Sequence, residues 1–104
     1  MSVFLTDIIP INHDTGTANT ESAIKLPPGI YELRLQARSA VDLLVAWVQG
    51  ATASGGPCWT VKSGTVYRLE RMSGAPKTGD GAGPTLFVRC VGTANVVVEI
   101  ECLK

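Results

Sequence analysis

The clearest pattern in the chain is an alternation of apolar and polar residues with a period of two. In residues 30–38, Tyr31, Leu33 and Leu35 alternate with charged and amide side chains. Such alternation is typical of a β-strand with one face on a core and the other in water. Residues 41–48 have the same period but are apolar on both faces. They therefore predict a strand that is central in its sheet or covered by a partner.

A helix over residues 31–51 is the alternative for this region. Leucine, alanine, arginine and glutamate are good helix formers, and several apolar residues fall on one helical stripe. The alternation is nevertheless strict over eight residues, and neither end carries capping residues. These two features favour strands.

Two pairs of alternating segments are separated by short turns. The turn at 63–64 lies between residues 58–62 and 65–71, a spacing that predicts a tight hairpin. A second hairpin is predicted across the turn at 92–95. This turn has the sequence Gly-Thr-Ala-Asn, which also occurs at 16–19. The flanks of the two copies differ, so we interpret them as turn composition and not as an internal repeat.

The spacing of the turns predicts the fold class. Short segments separated by turn signals amount to about eight strands, which predicts an all-β chain. We expect residues 1–104 to form one single-domain antiparallel β-sandwich, jelly-roll or tulip-like. Residues 1–20 form an N-terminal arm and loop in this prediction, and residues 21–104 form the sandwich. Residues 73–84 are nearly all turn residues, and we expect them at the surface.

The N-terminal residues are unusually apolar for a chain end. Residues 2–11 are rich in β-branched side chains and contain Pro10, which cannot donate to a strand ladder. They predict an edge strand or an extended arm. Burying a few of these side chains is worth several kcal/mol at roughly 25 cal/mol per Å². We expect a partner surface to bury them, and the alternative is that they fold back on their own sheet.

The charge balance limits the classes of partner. Nine Lys and Arg residues offset nine Asp and Glu residues, and 17% of the residues are charged, against about 25% in soluble domains. We therefore expect neither nucleic acid nor a membrane surface as a partner. The first residues show no signal-peptide pattern. Small uncharged domains tend to associate, and we expect a homo-oligomer, a homotrimer before a homodimer.

Candidate catalytic residues do not form a recognisable constellation. The single imidazole, His13, lies beside Asp14 in a predicted polar loop, and no nucleophile elbow accompanies it. Glu99 and Glu101 share one face of a predicted strand, which is typical of a solvated face. We predict no enzymatic activity, no catalytic residue, no metal and no cofactor.

The three cysteines are spaced too widely for a zinc site. Cys58, Cys90 and Cys102 are expected to be reduced and buried as small hydrophobic residues, and a single disulfide with one thiol left over is the alternative. Cys90 and Cys102 lie on the inward face of predicted neighbouring strands.

Three stretches carry a resemblance to a known class. They are the apolar residues 3–11, the sequence LPPGIYEL at 26–33 and the sequence GTANVVVEI at 92–100. With them, the chain resembles small virion accessory proteins of tailed bacteriophages, the capsid decoration (cement) proteins or related head and tail appendage modules. The resemblance implies a β-sandwich or β-tulip protomer and a symmetric oligomer that binds the major capsid protein without catalysis. It also implies a location on the capsid surface of a virion assembled in the host cytoplasm.

Two other functions remain open. A tail-fibre or baseplate module would share the fold, and a carbohydrate-binding module would need an exposed aromatic row. Tyr31, Trp47 and Tyr67 have inward parity, so Trp59 is the aromatic residue expected at the surface. The candidate interface residues are Val3, Phe4, Ile8, Ile9, Ile11, Leu44, Val48 and Trp59.

Overall fold

The protein is an all-β chain in which each strand is short. The computed structural model describes residues 8–52, 57–70 and 83–103. Its strands are β1 (Ile8–Asp14), β2 (Ser22–Lys25), β3 (Glu32–Ala37), β4 (Leu43–Ala46), β5 (Trp59–Val61), β6 (Tyr67–Glu70), β7 (Thr85–Arg89) and β8 (Val97–Leu103). Residues 31–51 contain two of these strands and no helix, so the helical alternative is wrong.

The strands form two four-stranded antiparallel sheets. Sheet A has the order β1-β8-β3-β6, and sheet B has the order β2-β7-β4-β5. The first four strands pair with the last four in reverse sequence, β1 with β8, β2 with β7, β3 with β6 and β4 with β5. The chain is thus one long antiparallel ribbon wound around a core. This is the strand order of a jelly roll, which confirms the predicted β-sandwich.

Both predicted hairpins are wrong. β5 pairs with β4 in sheet B, whereas β6 pairs with β3 in sheet A. β7 and β8 likewise lie in opposite sheets. The turn itself forms, because the Thr65 amide donates to the Lys62 carbonyl at 3.1 Å, but the chain then crosses to the other sheet. The alternation within a strand specifies which of its side chains face inward. Two strands satisfy this pattern equally well when they pair in one sheet and when they lie in two facing sheets, so the pattern does not identify the pairing partner.

The inner faces of the two sheets form a single core. Leu33 and Leu35 of β3 are fully buried, and Leu43 and Val45 of β4 oppose them from sheet B. β4 lies between β7 and β5, which confirms the prediction of a central strand. Its outward-facing residue Ala46 is buried as well.

Two contacts close the sides of the sandwich between the sheets. On one side, His13 Nε2 lies 2.9 Å from Ser22 Oγ, which joins β1 to β2. On the other side, the rings of Trp59 and Tyr67 lie 5.3 Å apart at 40°, which joins β5 to β6. His13 is therefore half-buried within β1 and does not lie in a polar loop as we expected.

The His13 contact predicts a pH dependence of stability. Burial lowers the pKa of His13 below its ordinary value of 6.5, although Asp14 acts in the opposite direction. The unfolded chain therefore binds this proton more readily than the folded chain does, and stability falls as the pH drops below 6.5. We expect a lower Tm at about pH 5.5 than at about pH 7.5. A His13→Gln variant should lack most of this difference, and an equal difference in the variant would contradict the assignment.

The two Gly-Thr-Ala-Asn segments lie side by side. In both, the glycine and the asparagine have positive φ: 72° and 62° at Gly16 and Asn19, and 81° and 56° at Gly92 and Asn95. The Asn95 amide donates to the Gly16 carbonyl at 2.7 Å, and the Gly92 amide donates to Asn19 Oδ1 at 3.0 Å. The shared composition therefore reflects two similar turns that bind each other.

The backbone at Asn95 predicts a second stability effect. Asparagine tolerates a φ of 56°, whereas alanine in the left-handed region costs about 1 kcal/mol. We expect Asn95→Ala to lower the free energy of unfolding by that amount in urea titration, and Asn95→Gly to change it by less than about 0.5 kcal/mol. If both variants lose the same free energy of unfolding, the stabilisation comes from the Asn95 side chain and not from its left-handed backbone.

Residues 83 and 84 do not behave as an exposed loop. Gly83 and Pro84 are buried, and the Pro84 carbonyl accepts a hydrogen bond from the Leu26 amide at 2.9 Å. The expectation of a surface segment is therefore wrong at its end, and residues 73–82 lie outside the described residues.

Candidate functional site

The predicted N-terminal interface residues differ in their exposure. Ile8 is 59% exposed at the start of β1, whereas Ile9 and Ile11 are half-buried and pack against the core. β1 pairs with β8 along its whole length, so residues 8–14 form an edge strand of sheet A and belong to the sandwich. Val3 and Phe4 lie outside the described residues.

The other predicted interface residues lie on or near sheet B. Leu44 is half-buried and lines a shallow concavity of about 540 Å³ together with the exposed Val91. Val48 is exposed after the end of β4. Trp59 is half-buried against the core, and the exposed aromatic residue in the described part of the chain is Tyr31. The predictions of a surface position for Trp59 and an inward position for Tyr31 are therefore wrong. Tyr31 precedes β3, so the inward alternation of that strand does not extend to it.

A polar groove that the sequence did not indicate crosses the outer face of sheet A. It has a volume of about 440 Å³. The pairing of β1, β8 and β3 places Asn12, Glu99 and Gln36 in one row across the sheet. The next row contains Pro10, Glu101, Arg34 and Arg68. We call this depression the sheet A groove.

Glu99 lies at the centre of a fixed polar group on the groove floor. Its Oε1 accepts a hydrogen bond from Gln36 Nε2 at 2.9 Å, and its Oε2 accepts one from Arg38 Nε at 3.0 Å. These two hydrogen bonds lower the pKa of the Glu99 carboxyl below its ordinary value, although partial desolvation acts the other way. The carboxylate is therefore ionised and held in one orientation.

Glu32 forms a second fixed group beside the groove. Desolvation raises the pKa of this carboxyl, but hydrogen bonds from Arg68 at 3.0 Å and Arg34 at 3.2 Å outweigh it and leave the pKa lowered. Arg34 also reaches Glu101 at 3.5 Å. Of these ion pairs, the exposed one between Arg34 and Glu101 contributes little to stability, whereas the other two hold the buried carboxylate of Glu32. Their effect is to orient the side chains and to balance the charge of the face.

Glu21 organises the outer side of sheet B. Its carboxylate accepts hydrogen bonds from the Gly50 amide at 2.7 Å, the Thr52 amide at 3.1 Å and Thr52 Oγ1 at 2.5 Å. Desolvation raises the pKa of Glu21, but these hydrogen bonds and the nearby Arg89 outweigh it and leave the pKa lowered. Arg89 in turn donates to the Thr52 carbonyl at 3.1 Å. The segment after β4 is thereby held over the sheet.

Two of the three cysteines are buried thiols in the core. Cys90 and Cys102 are buried as predicted. Burial raises the pKa of both thiols, that of Cys102 to about 11. Cys58 is half-buried, so the expectation of burial does not hold for it.

Features of metal sites and of membrane-spanning helices can be assessed from the described residues, 8–52, 57–70 and 83–103. Within them, no group of three or more His, Cys, Asp or Glu side chains is arranged to hold a metal ion. The same residues contain no helix with the length and hydropathy needed to cross a bilayer. Comparison of the chain with protein families, curated proteins and solved structures finds no match.

Proposed function

We propose that the protein is a non-enzymatic structural protein of a tailed-phage particle, a capsid decoration protein that acts through protein–protein contacts. The observation that carries the proposal is a set of large apolar side chains left at the surface of a domain without net charge. Ile8, Val48, Val66 and Val91 are each 56–59% exposed. A scarcity of charged residues is a feature of the core of protein interfaces, and each exposed apolar side chain adds favourable buried area when a partner covers it.

The fold is compatible with this function. Jelly rolls build viral capsid domains, and they also build lectins and cupins, so the fold contributes by analogy only. In this proposal the protomers form a homo-oligomer, with three copies favoured. The oligomer binds the major capsid protein on the outside of the head. A tail-fibre or baseplate position is the competing location.

The location can be tested on purified particles. Virions are separated into heads and tails, and the protein is identified in each fraction by mass spectrometry. We expect it in the head fraction, and its presence in tails alone would contradict the decoration role.

The contact surface is tested by adding protein back to heads that lack it. Ile8→Ser and Val91→Ser remove exposed apolar side chains without touching the core, and Thr93→Ser is the matched control at another exposed position. We expect at least one of the first two variants to bind heads roughly tenfold more weakly. If both variants bind heads as tightly as the control does, Ile8 and Val91 are not part of the interface.

A further inference from the structure

We propose that the sheet A groove binds a neutral oligosaccharide. This activity goes beyond the structural role proposed above and does not depend on it. The groove volume of about 440 Å³ is within the range of small-molecule sites. The groove extends from Pro10 on β1 to Val66 beside β6. These elements are separated by three strand spacings, roughly 14 Å, which suits a short linear chain of sugar rings.

The polar groups of the groove are arranged for ligands that both donate and accept hydrogen bonds. Gln36 uses its amide nitrogen on Glu99, which leaves its carbonyl oxygen as an acceptor. The exposed Asn12 side chain makes no hydrogen bond within the described part of the chain, so its amide offers both a donor and an acceptor. The Arg34 side chain is 41% exposed, and its guanidinium offers further donors. Adjacent hydroxyl groups on a sugar can satisfy such donors and acceptors together.

The groove side chains are held in place before a ligand arrives. Glu99 is bound by Gln36 and Arg38, and Arg34 is bound by Glu32 and Glu101. Binding therefore orders few additional side chains, which reduces the entropic cost of association. Sugar hydroxyls make individually weak hydrogen bonds in water, so a preorganised floor matters more for them than for a charged ligand.

The balanced charges of the outer face of sheet A and the apolar residues at the edges of the groove favour a neutral ligand. Among the described side chains of this face, Arg34, Arg38 and Arg68 are offset by the carboxylates of Glu32, Glu99 and Glu101. An anion or a cation gains no net attraction from such a surface. Pro10 and the 56% exposed Val66 border the polar floor. No aromatic residue is among the described residues that line the groove, so Pro10 and Val66 take the place of the aromatic row expected of a carbohydrate-binding module and supply apolar contacts for the carbon–hydrogen faces of sugar rings.

Titration followed by NMR on the uniformly ¹⁵N-labelled full chain tests the proposal. The probes are cellotriose, maltotriose and triacetylchitotriose, three neutral oligosaccharides of different linkage. We expect at least one of them to shift the side-chain amide signals of Asn12 and Gln36 saturably. Gln36→Ala should weaken that binding by roughly tenfold, the loss of about one hydrogen bond. Thr60→Ala, in the concavity of sheet B, should bind as the wild type does.

Other outcomes overturn the proposal. Absence of saturable shifts with all three sugars, or shifts confined to sheet B, would exclude the groove as a saccharide site. So would binding that Gln36→Ala, with its folded spectrum intact, does not weaken. Signals of the same face that move on dilution of the protein without sugar would assign the groove to a second copy of the chain.

Discussion

Replacing Gly83 by alanine is expected to destabilise the protein by about 3 kcal/mol, the upper range for overpacking a filled site. A Cβ at this position would overlap the backbone carbonyl oxygens of Leu26 and Pro27. Backbone atoms cannot rotate away as a flexible side chain can. The strand connection around the Leu26–Pro84 hydrogen bond would have to separate instead.

Gly64→Ala is the matched control for this substitution. Gly64 has a φ of +79°, and a Cβ there would have no atom within 4 Å. Its replacement should cost only the left-handed strain of about 1 kcal/mol. Urea denaturation of both variants compares the two costs. A Gly83→Ala variant as stable as Gly64→Ala would show that residues 83–84 are not packed against Leu26 and Pro27 as described.

Replacing Glu21 by alanine is expected to lower the free energy of unfolding by about 2–3 kcal/mol, because several hydrogen bonds to a charged acceptor are lost together. The Gly50 amide, the Thr52 amide and the Thr52 hydroxyl all donate to this carboxylate. Thr52 is buried, so its amide and hydroxyl cannot exchange the lost acceptor for water without local opening.

Glu101→Ala is the control for the loss of a glutamate. Glu101 is exposed, and its described contact is a 3.5 Å ion pair with Arg34, so its replacement should cost less than about 0.5 kcal/mol.

The pKa of Glu21 is lowered from 4.5. Its stabilisation is therefore complete above that pH and disappears as the pH falls through the folded-state pKa. Chemical denaturation at about pH 7 compares the variants, and equal losses would contradict the role of Glu21.

The local alternation of the sequence predicted which side chains of β3 and β4 face the core. Leu33 and Leu35 in β3, and Leu43 and Val45 in β4, are buried as their parity indicated. Their burial follows from a short-range rule, because neighbouring side chains of a strand point to opposite faces. The fold class follows from the same rule applied along the chain.

The pairing of the strands could not be predicted in this way. The sequence assigned β7 and β8 to one hairpin, but β8 pairs with β1 and β3. The jelly roll pairs strands that are distant in the chain, and the local sequence pattern of a strand does not identify the strand with which it pairs. The sheet A groove was missed for the same reason. Gln36 and Glu99 were each assigned to a polar face, and only the pairing of β3 with β8 places them together.

The solution mass of the intact protein tests the central proposal, association through exposed apolar surface, most directly. Light scattering after size exclusion would be measured over a wide range of protein concentration. The proposal predicts a species close to three times the chain mass of 11.0 kDa. A mass of one chain at every concentration would contradict it.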